Sequence, residues 1–280
     1  MNAKGSRGLP LTSFQWLTAH HEAKKDERKK MVSIHQIRKG DRVLDIACGP
    51  GFWTDLLLEQ VSPSGTIIGL DIDTSLIAIA KDTYADLISL GYIDFHVGDM
   101  RDLPYENDSF DVVICGNAYN YLAEEELPHV VKEHLRVLRP GGRLSVRAFD
   151  NTMSLFHPVP STVLLGIMHG VAESLEDETN FDNYLGRKLH GLFVNLALGP
   201  IETQTFVTQK VQPLCSGGIE YIRMKALWYA EKAKGYCSEH NLETWYSLFD
   251  PNSSLNILSR PDFYFSTTEM ISSVIKSKKH

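Results

Sequence analysis

Five polar side chains stand at the ends of short apolar runs in this chain: Asp45, Asp71, Asp99, Asn117 and Asp150. The first belongs to Arg42-Val43-Leu44-Asp45-Ile46-Ala47-Cys48-Gly49-Pro50-Gly51, where an apolar run meets an acid and turns through two glycines into Trp53 to Gln60, which has helical apolar spacing. A strand, a tight turn and a helix N-terminus in that order cradle a small ligand, because Gly lets the backbone approach it closely. The dinucleotide fingerprint needs a third glycine three positions on, but here Phe52, Trp53 and Thr54 follow Gly51. A carboxylate four residues before Gly49 repels a pyrophosphate and suits a ligand with an ammonium and a sulfonium, so the charge favours S-adenosylmethionine. Asp71 lies twenty positions beyond Gly51, the separation at which an acid meets a ribose hydroxyl in nucleotide-binding βαβ units. Asp99-Met100 pairs a carboxylate for an adenine amino group with an apolar side chain that packs on a purine.

These residues need a scaffold that brings strand ends together. Thr66 to Asp71, Ile93 to Val97, Phe110 to Cys115 and Arg143 to Ala148 read as further strands, with helices over Ser75 to Leu90 and Glu124 to Leu138 between them. Alternation of this kind predicts an α/β domain with a parallel sheet, whose ligands gather at the carboxyl ends of the strands. After Asp150 the alternation breaks: Phe156 to Pro160 reads as a loop, Thr162 to Ser174 and Asn183 to Leu198 as helices, and Ile201 to Val211 as a strand. An aromatic-rich helical insertion over about 216–250 follows, then a strand-like stretch from Phe263 towards Ile275. Residues 1–40 read as a helical segment, either a solvated helix with i,i+4 charge pairs or a lid carrying Trp16. The expected organisation is this N-terminal lid followed by one domain over 41–280, with a cofactor half at 41–150 and a substrate half at 151–280.

A chain of 280 residues with a formal charge of −7 has no general attraction for nucleic acid. Its four cysteines share no CxxC spacing and read as reduced. His20-His21 and His169 lack ligand spacing with Asp, Glu or Cys, so no metal is expected. No apolar run approaches the roughly 18 residues of a membrane span, and Met1 to Leu9 lacks a signal-peptide apolar region, which makes the cytoplasm the expected location. A homo-oligomer is compatible with the sequence.

Five ordered motifs, Val43 to Gly51, Gly69-Leu70-Asp71-Ile72-Asp73, Gly98-Asp99-Met100, Phe110-Asp111-Val112-Val113 and Leu138-Arg139-Pro140-Gly141-Gly142, resemble a class I S-adenosylmethionine-dependent methyltransferase. The similarity covers residues 35 to 150 and is closest to the small-molecule methyltransferases that include ubiquinone and menaquinone biosynthesis enzymes. It implies a Rossmann-like, seven-stranded, mostly parallel sheet with helices on both faces and an antiparallel last strand, supplied here by Phe263 to Ile275. It further implies that Asp45 and the Ala47 to Gly51 turn, with Gly49 and Gly51, hold the methionine part of the cofactor. Asp71 takes the ribose, Ile72 packs on the adenine, Asp99 and Met100 line the adenine pocket, and Asn117 stands near the sulfonium. Ala47 occupies a position that is often glycine in the family, from which a slightly tighter turn is expected.

Methyl transfer from a sulfonium is an in-line displacement in which positioning alone can supply about 7 to 11 kcal/mol. A base is needed only for an acceptor that must lose a proton. The candidates are Tyr119 and Tyr121 after the fourth strand, read alternatively as half-buried aromatics, and His157 after the fifth, whose simpler reading is a loop histidine. The expected function is methyl transfer to a small apolar or aromatic acceptor. The alternatives are a methyltransferase fold that binds the cofactor but catalyses another step, such as a cyclisation, and a macromolecule-modifying enzyme.

Overall fold

The computed structural model describes residues 10–176 and 181–277; residues 1–9 of the expected lid lie outside them. Seven strands form one sheet: β1 (Arg42–Ile46), β2 (Thr66–Asp71), β3 (Ile93–Val97), β4 (Phe110–Gly116), β5 (Leu138–His157), β6 (Ile201–Val211) and β7 (Tyr264–Ile275). Their order is β3-β2-β1-β4-β5-β7-β6. The first five run parallel, and β7 inserts antiparallel between β5 and β6. The order reverses at β1, which pairs with β2 on one side and β4 on the other, opening a crevice beyond its carboxyl end.

The central strands β1 and β4 are apolar runs because both faces of the sheet are covered there. On β1, Leu44 and Ile46 enter the core beneath the helices Leu127–Val137 (α5) and Leu185–Asn195 (α7), whereas Val43 enters the opposite core with Leu57 and Val61 of α2 (Thr54–Val61) and Ile77 and Ala80 of α3 (Thr74–Thr83). A short α4 (Ala85–Ser89) follows, so the helix expected over Ser75 to Leu90 is two helices broken at Tyr84. That ring packs on Phe95 and its hydroxyl donates to the Gly51 carbonyl at 3.2 Å.

A third core forms where the extended end of β5 meets the start of β7. It is built from α1 (Phe14–Met31), α6 (Ser161–Leu175), α8 (Ser216–Ala233) and α9 (Glu239–Phe249). Phe156 on β5 and Phe265 on β7 join them to the sheet, Phe156 meeting Trp245, Phe249 and Phe265 at centroid distances of 5.3, 5.5 and 4.9 Å. β5 therefore runs past Ala148 to His157, with a register shift between Asp150 and Leu155, so Phe156 and His157 are strand where the sequence predicted a loop over Phe156 to Pro160. The helix α1 starts at Ser13, whose hydroxyl accepts from the Trp16 amide at 3.2 Å, and it packs on α8. Its expected solvated character holds for only part of its surface, since Lys24 and Arg28 are buried at 3% and 5% exposure.

Candidate functional site

The turn after β1 is held by its backbone and by Asp71. Ala47, Gly49 and Gly51 all adopt positive φ, at +57°, +56° and +83°. A Cβ on Gly51 would lie 3.0 Å from Tyr84 and 3.2 Å from Phe95, a tight fit on top of a left-handed backbone that favours glycine. Ala47 takes the same left-handed conformation with a side chain, so the substitution noted in the sequence appears as backbone strain. Asp71, at the end of β2, accepts from the Gly49 amide at 2.8 Å and from the Asp73 amide at 2.9 Å. Burial pushes its carboxyl above the usual range, opposed by these backbone N–H groups.

A cavity of about 260 Å³ opens over these strand ends. Ala47, Gly49, Asp71, Ile72, Asp99, Met100 and Asn117 line it, so the structure brings together most of the expected cofactor residues. Asp99 is braced by Arg101, whose amide and guanidinium each donate to it at 2.9 Å. Asn117 sits at φ +58° just past β4, donating its Nδ2 to Glu269 Oε1 at 2.8 Å. Gly51 shapes the turn from behind.

Asp45 faces an adjoining cavity of about 90 Å³ that shares Ala47, Gly49 and Asn117 with the first. Its Oδ2 is buried without a hydrogen-bond partner. Burial raises its pKa to about 7, against the opposing pull of Arg147 and Arg28. An unpartnered carboxylate oxygen beside a glycine turn fits the ammonium of a methionine moiety, and the residues present therefore suit S-adenosylmethionine.

The other side of the main cavity is aromatic: Trp16 from α1, Tyr121 after β4, Phe149 from β5, and Tyr221 and Trp228 from α8. Beneath them is a buried charge network that sequence reasoning missed. Glu269 of β7, 1% exposed, accepts from Lys24 Nζ at 2.9 Å and Arg147 at 2.5 Å. Burial opposes ionisation of Glu269, but Lys24, Arg147 and the Asn117 amide together hold its carboxyl well below the usual range. Arg147 and Arg28 also lie over the Trp53 ring, at 5.0 and 5.2 Å. Signals for this network were in the sequence: Trp16, His20, Lys24 and Arg28 form a stripe at four-residue spacing, and Glu269 is the lone charge in β7.

Of the three candidate bases, only Tyr121 lines the cavity. Tyr119 points into the core, fully buried, and its hydroxyl is 2.9 Å from His134 Nδ1. Both stand in the single 3₁₀ turn Tyr119–Tyr121 after β4, from which Tyr121 lines the cavity and Tyr119 does not. His157 ends β5 at 62% side-chain exposure, 3.8 Å from Asp262 and away from the cavity. Asp150, expected along the same edge, is instead buried against Arg187. Among the described residues no group of three His, Cys, Asp or Glu is placed to hold a metal, and no helix is long and apolar enough to cross a membrane.

The fold and the cradle agree with what this chain resembles. Residues 43–142 match the family model described as a methyltransferase domain. Over these residues the chain is similar to a methyltransferase domain. The demethylmenaquinone methyltransferase of Oceanobacillus iheyensis is 35% identical over 138 residues, 48% of this chain and 52% of that protein. The 2-phytyl-1,4-naphtoquinone methyltransferase of Synechococcus elongatus is 38% identical over 119 residues, 42% of this chain and 50% of that protein. The chain thus spans about half the length of the curated relatives it matches. The crystal structure of the YcgJ protein from Bacillus subtilis shares the fold with a TM-score of 0.55 at 18% identity, covering 91% of this chain and all of that one. The methyltransferase domain defined by these matches contains the glycine turn, Asp71, Asp99 and Asn117, whereas Trp16, Lys24, Tyr221, Lys225 and Glu269 lie outside it.

Proposed function

We propose that this chain binds S-adenosylmethionine in the cradle and transfers its methyl group to a small aromatic or apolar metabolite. The observation that carries the reading is one continuous cavity that joins the acid-lined strand ends of the methyltransferase domain to an aromatic chamber closed by α1 and α8. When bound, the cofactor supplies an already activated methyl group on a sulfonium. Asp45 receives its ammonium, Asp71 its ribose hydroxyls, and Ile72 and Met100 pack on its adenine beside Asp99. Asn117, oriented by Glu269, stands where β4 ends and meets the reacting region.

The aromatic walls orient a flat acceptor and exclude water, so that nucleophile, methyl carbon and sulfur fall in line. The quinone names of the relatives support an acceptor of this class. The lid expected over residues 1–40 is supported, in its described part, by Trp16, Leu17, His20 and Lys24 of α1, which form one wall of the cavity. The unpaired thiols Cys48, Cys115, Cys215 and Cys237 suit a cytoplasmic location.

Calorimetric titration with S-adenosylhomocysteine tests the reading. Binding to the wild-type chain that weakens at least tenfold in Asp45→Ala is expected, about 1.4 kcal/mol; no binding to the wild type refutes it.

A further inference from the structure

The cavity holds two buried lysines in different surroundings. Lys24 has a carboxylate, Glu269, at 2.9 Å. Lys225 of α8, 6% exposed, has none within 4.0 Å among the described residues. Its Nζ donates to Asn151 Oδ1 at 2.6 Å and lies 3.5 Å from Thr267 Oγ1. Asn151 cannot turn away, because its Nδ2 donates to Asn183 at 2.6 Å. An amine with one short neutral acceptor keeps capacity for another partner, and it faces the chamber walled by Tyr121, Phe149 and Trp228.

We propose that Lys225 is the proton acceptor of the methyl transfer and that it selects acceptors carrying an acidic hydroxyl, a phenol or an enol. This rests on the methyltransferase reading above. The groups facing the amine are Lys24 from α1, Asn151 from β5, Thr267 and Glu269 from β7, and the Tyr229 ring of α8 at 5.4 Å. Burial and then Lys24 push the amine well below the ordinary lysine range, with Glu269 opposing. A lysine in such a place sheds its proton readily and regains a stable charge when an oxyanion arrives beside it. Tyr121 is not available as a base, since burial pushes its hydroxyl up and keeps it protonated.

The step balances as follows. The hydroxyl proton passes to the Nζ lone pair, leaving an ammonium next to the oxyanion. The oxygen's electron pair, or the same charge at the adjacent ring carbon, forms the new bond to the methyl group of S-adenosylmethionine. The methyl carbon–sulfur bond breaks with its pair on sulfur. With attack from carbon, that carbon then loses its proton to solvent, while the ammonium returns one to oxygen. Lys225 lies beyond residues 43–142, which match the methyltransferase family model.

The test uses the full chain saturated with S-adenosylhomocysteine and 4-nitrophenol as an optical probe of phenol ionisation. Expected in the wild type is a bound probe whose ionisation midpoint falls by at least one pH unit, a tenfold gain in acidity, and in Lys225→Met the loss of that shift. Melting of Lys225→Met is expected to hold or rise, because an apolar side chain replaces a buried amine; if the variant does not fold, the wild-type arm decides alone. An unshifted midpoint in the wild type, including failure of the probe to bind, overturns the proposal, as does a shift that survives in Lys225→Met. Binding of S-adenosylhomocysteine is read separately by calorimetry: its absence overturns the methyltransferase reading and this inference with it, whereas its presence without probe ionisation overturns the role of Lys225 alone.

Discussion

Replacing Glu269 by Gln should expose how strongly the buried network supports both fold and site. The substitution keeps the side-chain shape and removes the one carboxylate that Lys24 and Arg147 share, at 2.9 and 2.5 Å, where all three groups are at most 6% exposed. Removing one member of a buried ion pair costs about 3–5 kcal/mol because the remaining charge is left uncompensated. Lys24 can escape the penalty by losing its proton, but the Arg147 guanidinium cannot. It retains only the Trp53 ring at 5.0 Å and the field of Asp45. The low end, about 3 kcal/mol, is therefore expected, which lowers the melting temperature by about 6–12 °C in a chain of this size. The variant also weakens the charge-assisted bond from Asn117, so methyl transfer should fall along with stability. The assay is a thermal melt of wild type, Glu269→Gln, Lys24→Met and the double variant. Lys24→Met should reduce the penalty of Glu269→Gln by more than 1 kcal/mol, since the two side chains are coupled. A Glu269→Gln melting point within 1 °C of wild type, or strict additivity, would refute the reasoning.

Other expectations follow from the same geometry. Asp45, with its carboxyl at about 7, binds a proton below that value, so affinity for S-adenosylhomocysteine should rise with pH up to about 7 and level off, changing about tenfold between pH 6 and 8; calorimetry at several pH values measures this, and Asp45→Asn should flatten the profile. Glu269 has its pKa depressed by folding, so its contribution to stability is present above 4.5 and disappears as pH falls from there through its lower folded value; acid melts of the wild type should show this loss and those of Glu269→Gln should lack it. Asp71→Ala leaves the Gly49 and Asp73 amides without their acceptors and should cost about 1–3 kcal/mol of stability as well as cofactor affinity, readable in one melt and one titration. His157→Ala, at an exposed strand end, should change neither turnover nor melting by more than about 0.5 kcal/mol.

The cradle at the strand ends was legible because its signals are local. Backbone conformation demands Gly49 and Gly51, strand ends demand a change in residue type, and both are written within a few positions of one another. The buried charge network on the aromatic side of the cavity was not, because it is assembled across the chain. Lys24, Asn151, Lys225 and Glu269 lie on four elements that meet only when β7 inserts between β5 and β6 and α1 packs on α8. A mixed-charge helix such as α1 has the same composition whether Lys24 faces solvent or a buried carboxylate. Tyr119 and Tyr121 differ in role only through the direction of one turn after β4, which residue type does not reveal.

The most direct test of the central claim is incubation of the full chain with methyl-tritiated S-adenosylmethionine and a 1,4-naphthalenediol acceptor under reducing conditions, followed by solvent extraction and counting. Label in the extracted naphthalene product from the wild type, reduced at least tenfold in Asp45→Ala, is the predicted result. An extract from the wild type with no label above the protein-free blank would contradict the account.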